Sequence, residues 1–244
     1  MRKYLFGVLL SIFGVLAAIY FFVGVPKVYE TNPLSYSTPH VYGNPARSLQ
    51  RVHVVVWYIV PQDNKESQIE NWVDVAARNL EKLQAFHENQ FQGRSQVTYE
   101  ISPEPVQSSP QKILEGTAVL GALRQELRDK GFALGNDAPD EYRVFLVLYE
   151  GDEKATGSEK DFVLISRVLL TDESYQPFHA TFLAHEFYHT LGIPDRYEEA
   201  VKEFSDGQQT QVGILSSGDL MGRVRVPLEQ TYLARETLQN LGLY

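Results

Sequence analysis

The sequence contains no cysteine. Disulfides, thiolate zinc sites, iron–sulfur clusters, cysteine nucleophiles and cysteine-linked lipid anchors are therefore excluded. Any metal must be held by His, Asp or Glu, and the 244 residues include six His. The absence does not assign a reducing compartment, because a domain of this size needs no covalent staples. Basic residues are also in short supply. With 22 Lys+Arg against 31 Asp+Glu the formal net charge is −9, which leaves no strongly basic surface to track a phosphate backbone and argues against a nucleic-acid partner. Methionine occurs twice, as the initiator Met1 and as Met221. No internal repeat or low-complexity tract is present. Apolar residues are not scarce: 43% hydrophobic content is enough to bury a core and rules out global disorder.

Residues 5–25 read LFGVLLSIFGVLAAIYFFVGV, 21 residues without a charge. At about 1.5 Å per residue such a helix matches a hydrocarbon core of about 30 Å. Arg2 and Lys3 precede it, which predicts a cytoplasmic N-terminal end and an extracytoplasmic remainder. A cleaved signal peptide is the competing reading. Its apolar region runs to about 7–15 residues and ends at a small-x-small site. Here Ala17 and Ala18 are followed by further apolar residues, Ile19 to Val23, so an uncleaved signal-anchor is expected. Beyond it, 20 basic residues face 31 acidic ones, a balance of −11. That balance favours solubility over docking on anionic lipid. Residues 26–50 carry Pro26, Pro33, Pro39 and Pro45. Proline removes amide donors and restricts its predecessor, so this stretch reads as an extended stalk, or as an ordered arm laid on the domain. The folded domain is expected over 51–244.

Within that domain His53–Val60 and Tyr142–Tyr149 are unbroken apolar, β-branched or aromatic runs, the pattern of strands buried on both faces. Val97, Tyr99 and Ile101 alternate, predicting a half-buried strand over 96–101. Asp161–Leu170 is a third apolar run and is read as a strand. Helical spacing of Ile69, Trp72, Val73, Ala76, Leu80 and Leu83 predicts a helix to about Gln90. Ile113, Leu120, Leu123 and Leu127 mark a second helix, ended by Gly131. Two more are expected over 177–191 and 228–241. Strands alternating with helices indicate an α/β class with a sheet that is largely parallel at first.

One constellation carries chemistry. His185-Glu186-Phe187-Tyr188-His189 is an HExxH sequence inside the helix expected over 177–191. Residues four apart lie one turn above each other, so both imidazoles can reach one metal ion. Glu186, beside the first ligand, can act on a water without itself ligating. Phe178, Phe182, Leu183, Ala184 and Phe187 surround the pair with apolar groups, which is unlike a solvated helix face. The continuation Thr190-Leu191-Gly192-Ile193-Pro194-Asp195 completes HExxHxxGxxD. Gly192 permits the left-handed backbone that ends a helix, after which the chain can return Asp195 to the metal. Two His and one carboxylate leave a coordination position for water, the catalytic rather than the structural arrangement. Glu198 and Glu199 are rival third ligands. His179 lies off the ligand face and reads as structural; His40, His53 and His87 show no partner pattern.

These residues, with Gly218-Asp219-Leu220-Met221-Gly222, resemble the metzincin clan of zinc metallopeptidases. The string HEFYHTLGIPDRY is most similar to snapalysin-like and immune-inhibitor-A-like bacterial enzymes. The resemblance implies an α+β domain with a twisted mixed sheet, an active-site helix and a C-terminal helix. It also implies a Met-turn in which Met221 forms an apolar floor beneath the metal without binding it. Two departures stand out: the clan's usual third ligand is His where Asp195 stands, and Arg223 occupies the position of a Tyr found in several members two residues after the Met-turn methionine. The resemblance implies hydrolysis of extracytoplasmic peptides or proteins by a Zn2+-activated water. His185, His189 and Asp195 are then the ligands and Glu186 the general base. The substrate would pair as a strand near Asp161–Leu170. The reading of a different class is a non-catalytic membrane-anchored module retaining the fold. A decayed site would lose Glu186 first, and Glu186 is present.

Overall fold

The computed structural model describes residues 38–63, 69–109, 118–135, 141–150, 156–196, 218–222 and 225–244. The apolar segment 5–25 lies outside them, as do residues 26–37 of the proline-rich stretch. Among the described residues no helix is long and apolar enough to cross a membrane.

The sheet is built on the two unbroken apolar runs. Strand β3 (Arg51–Pro61) pairs in parallel with β6 (Tyr142–Tyr149), and β6 in parallel with β8 (Phe162–Ser166). On the other side β3 pairs in parallel with β4 (Gln96–Ile101) and, further along, with β5 (Val106–Ser108). Strand β7 (Thr156–Glu159) closes the order β4-β3-β6-β8-β7 as an antiparallel edge strand on β8. The sheet is therefore mixed.

Alternation along each strand feeds two cores. Val52, Val54, Val56 and Tyr58 join Val144, Leu146 and Leu148 and Val163 and Ile165 on one face. They pack against helix α1 (Trp72–Phe91) through Ala76, Leu80 and Leu83 and against Leu183, Ala184 and Phe187 of a later helix. Trp57, Ile59, Phe145, Val147, Phe162 and Leu164 point to the opposite face and are covered by Val119, Leu123 and Leu127 of α2 (Ala118–Asp129). Burial on both sides is why β3 and β6 read as unbroken apolar runs rather than as alternating ones.

Three expectations are corrected. The run 161–170 is not one strand: β8 ends at Ser166 and Val168–Thr171 forms a short helix, α3. Strand β8 is paired on both sides; among the described residues the edge strand on this side of the sheet is β7, whose Thr-Gly-Ser-Glu sequence carries no apolar signal. The helix expected over 177–191 opens as a 3-10 turn, Glu173–Phe178, with Pro177 inside it. The Asp172 carboxylate accepts from the Ser174 amide at 2.9 Å, and α4 itself is His179–Thr190. The C-terminal helix is only α5, Arg235–Asn240. The stretch before it is drawn into an extended pairing, because the Leu220 amide donates to the Tyr232 carbonyl (2.8 Å) and the Tyr232 amide to the Gly218 carbonyl (3.0 Å).

Residues 38–50 lie on the domain. A small hairpin of β1 (His40–Val41) and β2 (Asn44–Ser48) is tied by the His40 amide to the Leu241 carbonyl (3.0 Å) and by the Tyr42 amide to the Leu191 carbonyl (2.9 Å). Leu49 is fully buried. Residues 38–50 thus take the ordered-arm form, and the arm touches the end of α4.

Candidate active site

Helix α4 is buried almost all round: Thr181, Phe182, Leu183, Ala184, Phe187 and Tyr188 are inside. That packing fixes the rotation of the helix about its axis and hence where His185 and His189 point. Their Nε2 atoms lie 3.1 Å apart. The Nδ1 atom of His185 donates to the Leu220 carbonyl at 3.1 Å, and that of His189 to the Ile193 carbonyl at 2.7 Å. With Nδ1–H committed to backbone oxygens, each Nε2 presents a lone pair to the same point, the arrangement that orients metal-ligating histidines.

Past Thr190 the helix ends. Gly192 has φ +88, and a Cβ there would come within 3.3 Å of the Tyr42 carbonyl oxygen and Cβ. Glycine is needed for the left-handed turn and for the approach of the arm. The turn brings Asp195 back, with Oδ1 3.2 Å from both His185 Nε2 and His189 Nε2. These three residues form a potential metal-holding group among the described residues. Bonds of about 2.0–2.1 Å in a tetrahedral site place donor atoms about 3.3 Å apart, close to the 3.1, 3.2 and 3.2 Å found here. Two imidazole nitrogens and one carboxylate oxygen are also the donor set of catalytic zinc sites.

The electrostatics suit this role. Burial works against ionisation of Asp195, but the adjacent His185 and His189 imidazoles outweigh it and hold the carboxyl well below the usual range. Burial lowers the basicity of His189, while Asp195, the Ile193 carbonyl and the nearby Glu186 charge raise it more. Glu186 is 8% exposed and lines the cleft of about 530 Å³ that contains His185, His189 and Asp195, with Gly157, Ser158 and Lys160 on the β7 side. Glu186 is not one of the three convergent donors.

Residues 220–222 form a buried 3-10 turn with Met221 at its centre. Its backbone meets both sides of the site. The carbonyl of Leu220 takes the His185 proton, and the carbonyl of Met221 accepts from the Arg196 amide at 3.0 Å. Arg196, immediately after Asp195, also places Nε 3.1 Å from Asp219 Oδ2 and Nη1 3.3 Å from Glu236 Oε2. Burial raises the pKa of Asp219, partly offset by the Met221 amide and Arg196. The Arg196–Asp219 pair thus clamps the Asp195 segment to the methionine turn. This pair leaves no local signal in the sequence, because the two residues are far apart along the chain. Glu198, Glu199 and Arg223 lie outside the described residues.

His87 has a role that its sequence context did not suggest. It is fully buried in α1. Its Nε2 lies 2.7 Å from Ser95 Oγ, and its Nδ1 lies 3.1 Å from the Tyr188 hydroxyl. The Ser95 hydroxyl donates to the Leu49 carbonyl. The proton order follows: Tyr188 donates to His87 Nδ1, His87 Nε2–H donates to Ser95, and Ser95 donates to the arm. This chain supports the back of α4. Burial pushes the His87 pKa down to about 3 from 6.5. The unfolded chain therefore binds a proton that the native chain refuses, and His87 costs stability as pH falls from about 6.5 towards 3. Between pH 7 and pH 5 this amounts to about 2 kcal/mol. In urea unfolding, the stability of His87→Gln relative to wild type should improve by about that amount over the same interval; a constant difference would refute a neutral buried His87. His179 lies apart from the ligands, with Nε2 3.3 Å from the Asp172 carbonyl. His40 and His53 bond to the Thr38 carbonyl and Thr98 hydroxyl, away from the cleft.

Comparison with known proteins bears on this geometry. No match is found among the curated proteins. Solved structures of wild type OgpA from Akkermansia muciniphila, in two crystal forms, are similar at 13% and 12% identity with TM-scores of 0.44. Each match covers 78% of this chain and 59% of that one, so the chain spans about three fifths of the length of those structures. The family model of the immune inhibitor A peptidase M6 catalytic domain matches residues 56–239, a span that contains α4, Asp195 and Met221. The chain belongs to the immune inhibitor A, or M6, peptidase family.

Proposed function

We propose that the protein hydrolyses extracytoplasmic peptides or proteins at a zinc ion held by His185 Nε2, His189 Nε2 and Asp195 Oδ1, with Glu186 as general base. The observation that carries this reading is the convergence of those three donor atoms beside a carboxylate that is not one of them. Zinc supplies Lewis acidity there, acidifying water and polarising a carbonyl oxygen. The Glu186 carboxylate takes the proton of the attacking water as its oxygen bonds to the scissile carbon. It then returns that proton to the departing amine nitrogen as the C–N bond breaks. The open edge of β7 supports an extended substrate laid antiparallel along Thr156–Glu159, held by main-chain hydrogen bonds. The apolar run 5–25 preceded by Arg2 and Lys3 supports attachment to a membrane with the site outside the cytoplasm.

The experiment is chelation and reconstitution of the full chain in detergent, assayed on an unfolded protein substrate. Hydrolysis should fall to background when the metal is stripped and return with one equivalent of zinc per chain. Activity that survives complete removal of metal would count against the reading.

A further inference from the structure

We infer that Lys160 is a specificity residue that selects substrates carrying an acidic side chain on the N-terminal side of the scissile bond. This rests on the peptidase reading above and adds a substrate class to it.

The cleft holding His185, Glu186, His189 and Asp195 is walled on the β7 side by Gly157, Ser158 and Lys160. Lys160 is the one Lys or Arg lining it among the described residues. The cleft already contains two carboxylates, Glu186 and Asp195, yet neither pairs with Lys160, and no described residue forms a hydrogen bond or ion pair with it. An exposed lysine that pairs with no described residue can accept an anion from outside.

The turn that carries Lys160 is fixed. Glu159 and Phe162 are paired across β7 and β8, so Lys160 and Asp161 are the whole connection. Asp161 is 7% exposed and bonds to Arg124 at 2.6 Å, and its carbonyl accepts from the Phe145 amide at 2.7 Å. Lys160 itself has φ +56, a left-handed backbone that Gly or Asn adopts more readily. A two-residue hairpin connection requires such a positive φ at its first position, so the turn sets Lys160 at the rim of the cleft.

Strand direction sets the side. Strand β7 runs from Thr156 to Glu159, and Lys160 follows its C-terminal end. A substrate strand antiparallel to β7 runs the other way and passes Lys160 with its N-terminal part. An acidic side chain there meets the ammonium.

The test is a pair of peptide pools that scan Glu against Gln through the positions flanking one cleaved bond, digested by the zinc-loaded full chain and read by mass spectrometry. The wild type should show about a tenfold higher kcat/KM for Glu over Gln at one or two positions N-terminal to the cut. The ratio should collapse to about one in Lys160→Gly and Lys160→Asn, and Lys160→Arg should retain most of it. Both loss variants suit the left-handed turn, so unfolding does not stand in the way. Metal content equal to wild type confirms that the site is intact. Equal cleavage of the two pools by the wild type overturns the inference, as does a preference confined to the C-terminal side or a ratio that persists in Lys160→Gly. A zinc-loaded wild type that cleaves no peptide in either pool overturns the peptidase reading, and this inference with it.

Discussion

Glu186→Gln is expected to keep its full complement of metal and to lose peptide hydrolysis by about 10⁴-fold or more. General acid–base catalysis alone is worth about 10²–10⁴ in rate. In the proposed mechanism the same carboxylate both accepts the proton of the attacking water and delivers it to the amine, so the loss falls at or beyond the top of that range. Metal is retained because Glu186 contributes none of the three convergent donor atoms. The amide is nearly isosteric, and Glu186 sits in a helix held by Thr181, Leu183, Phe187 and Tyr188, so the fold has no reason to change. The alternatives leave different signatures. A merely solvated carboxylate would cost about 0.5 kcal/mol of stability or less and no activity. A fourth ligand of a closed structural site would take the metal with it. Elemental analysis and hydrolysis must be read on the same preparation; retained metal with unchanged hydrolysis would show that the proton carrier is another group.

The chemistry of this site was more legible in the sequence than the cleft around it. The spacing of His185 and His189 is a helix repeat, and Gly192 marks the break that lets Asp195 return, so short-range geometry is enough to bring the three together. Strands β3 and β6 were legible because both faces are buried, which leaves an unbroken apolar run. Strand β7 was not, because Thr, Gly, Ser and Glu carry no apolar alternation. The last helix is shorter than the sequence suggests: Leu228, Leu233, Leu238 and Leu241 are all buried, but the 228–233–238 spacing is not a helical repeat. In the structure, backbone pairing between Gly218–Leu220 and Tyr232 claims the first part. The His87 chain and the Arg196–Asp219 clamp join residues distant along the chain, and local periodicity carries no trace of such contacts.

His189→Ala should abolish both stoichiometric metal and hydrolysis, because two donors do not hold a catalytic zinc. Its fold should survive. His189 is partly exposed at the cleft, whereas the apolar packing of α4 is carried by Leu183, Ala184, Phe187 and Tyr188. A cooperative thermal transition in the metal-free variant separates ligand loss from unfolding. Asp195→Ala is the sharper case. Its carboxylate reaches the histidines through a turn set by Gly192 and held by Arg196 against Asp219 and the Met221 carbonyl. If Asp195 is the third ligand, Asp195→Ala loses metal as His189→Ala does, and Glu198→Gln and Glu199→Gln keep it. The reverse pattern, with metal kept in Asp195→Ala and lost in one of the glutamate variants, would move the third ligand. Stoichiometric metal in His189→Ala would remove the site altogether. The geometry favours the first outcome: Asp195 Oδ1 lies 3.2 Å from both imidazole Nε2 atoms, and the three donor atoms converge on one point.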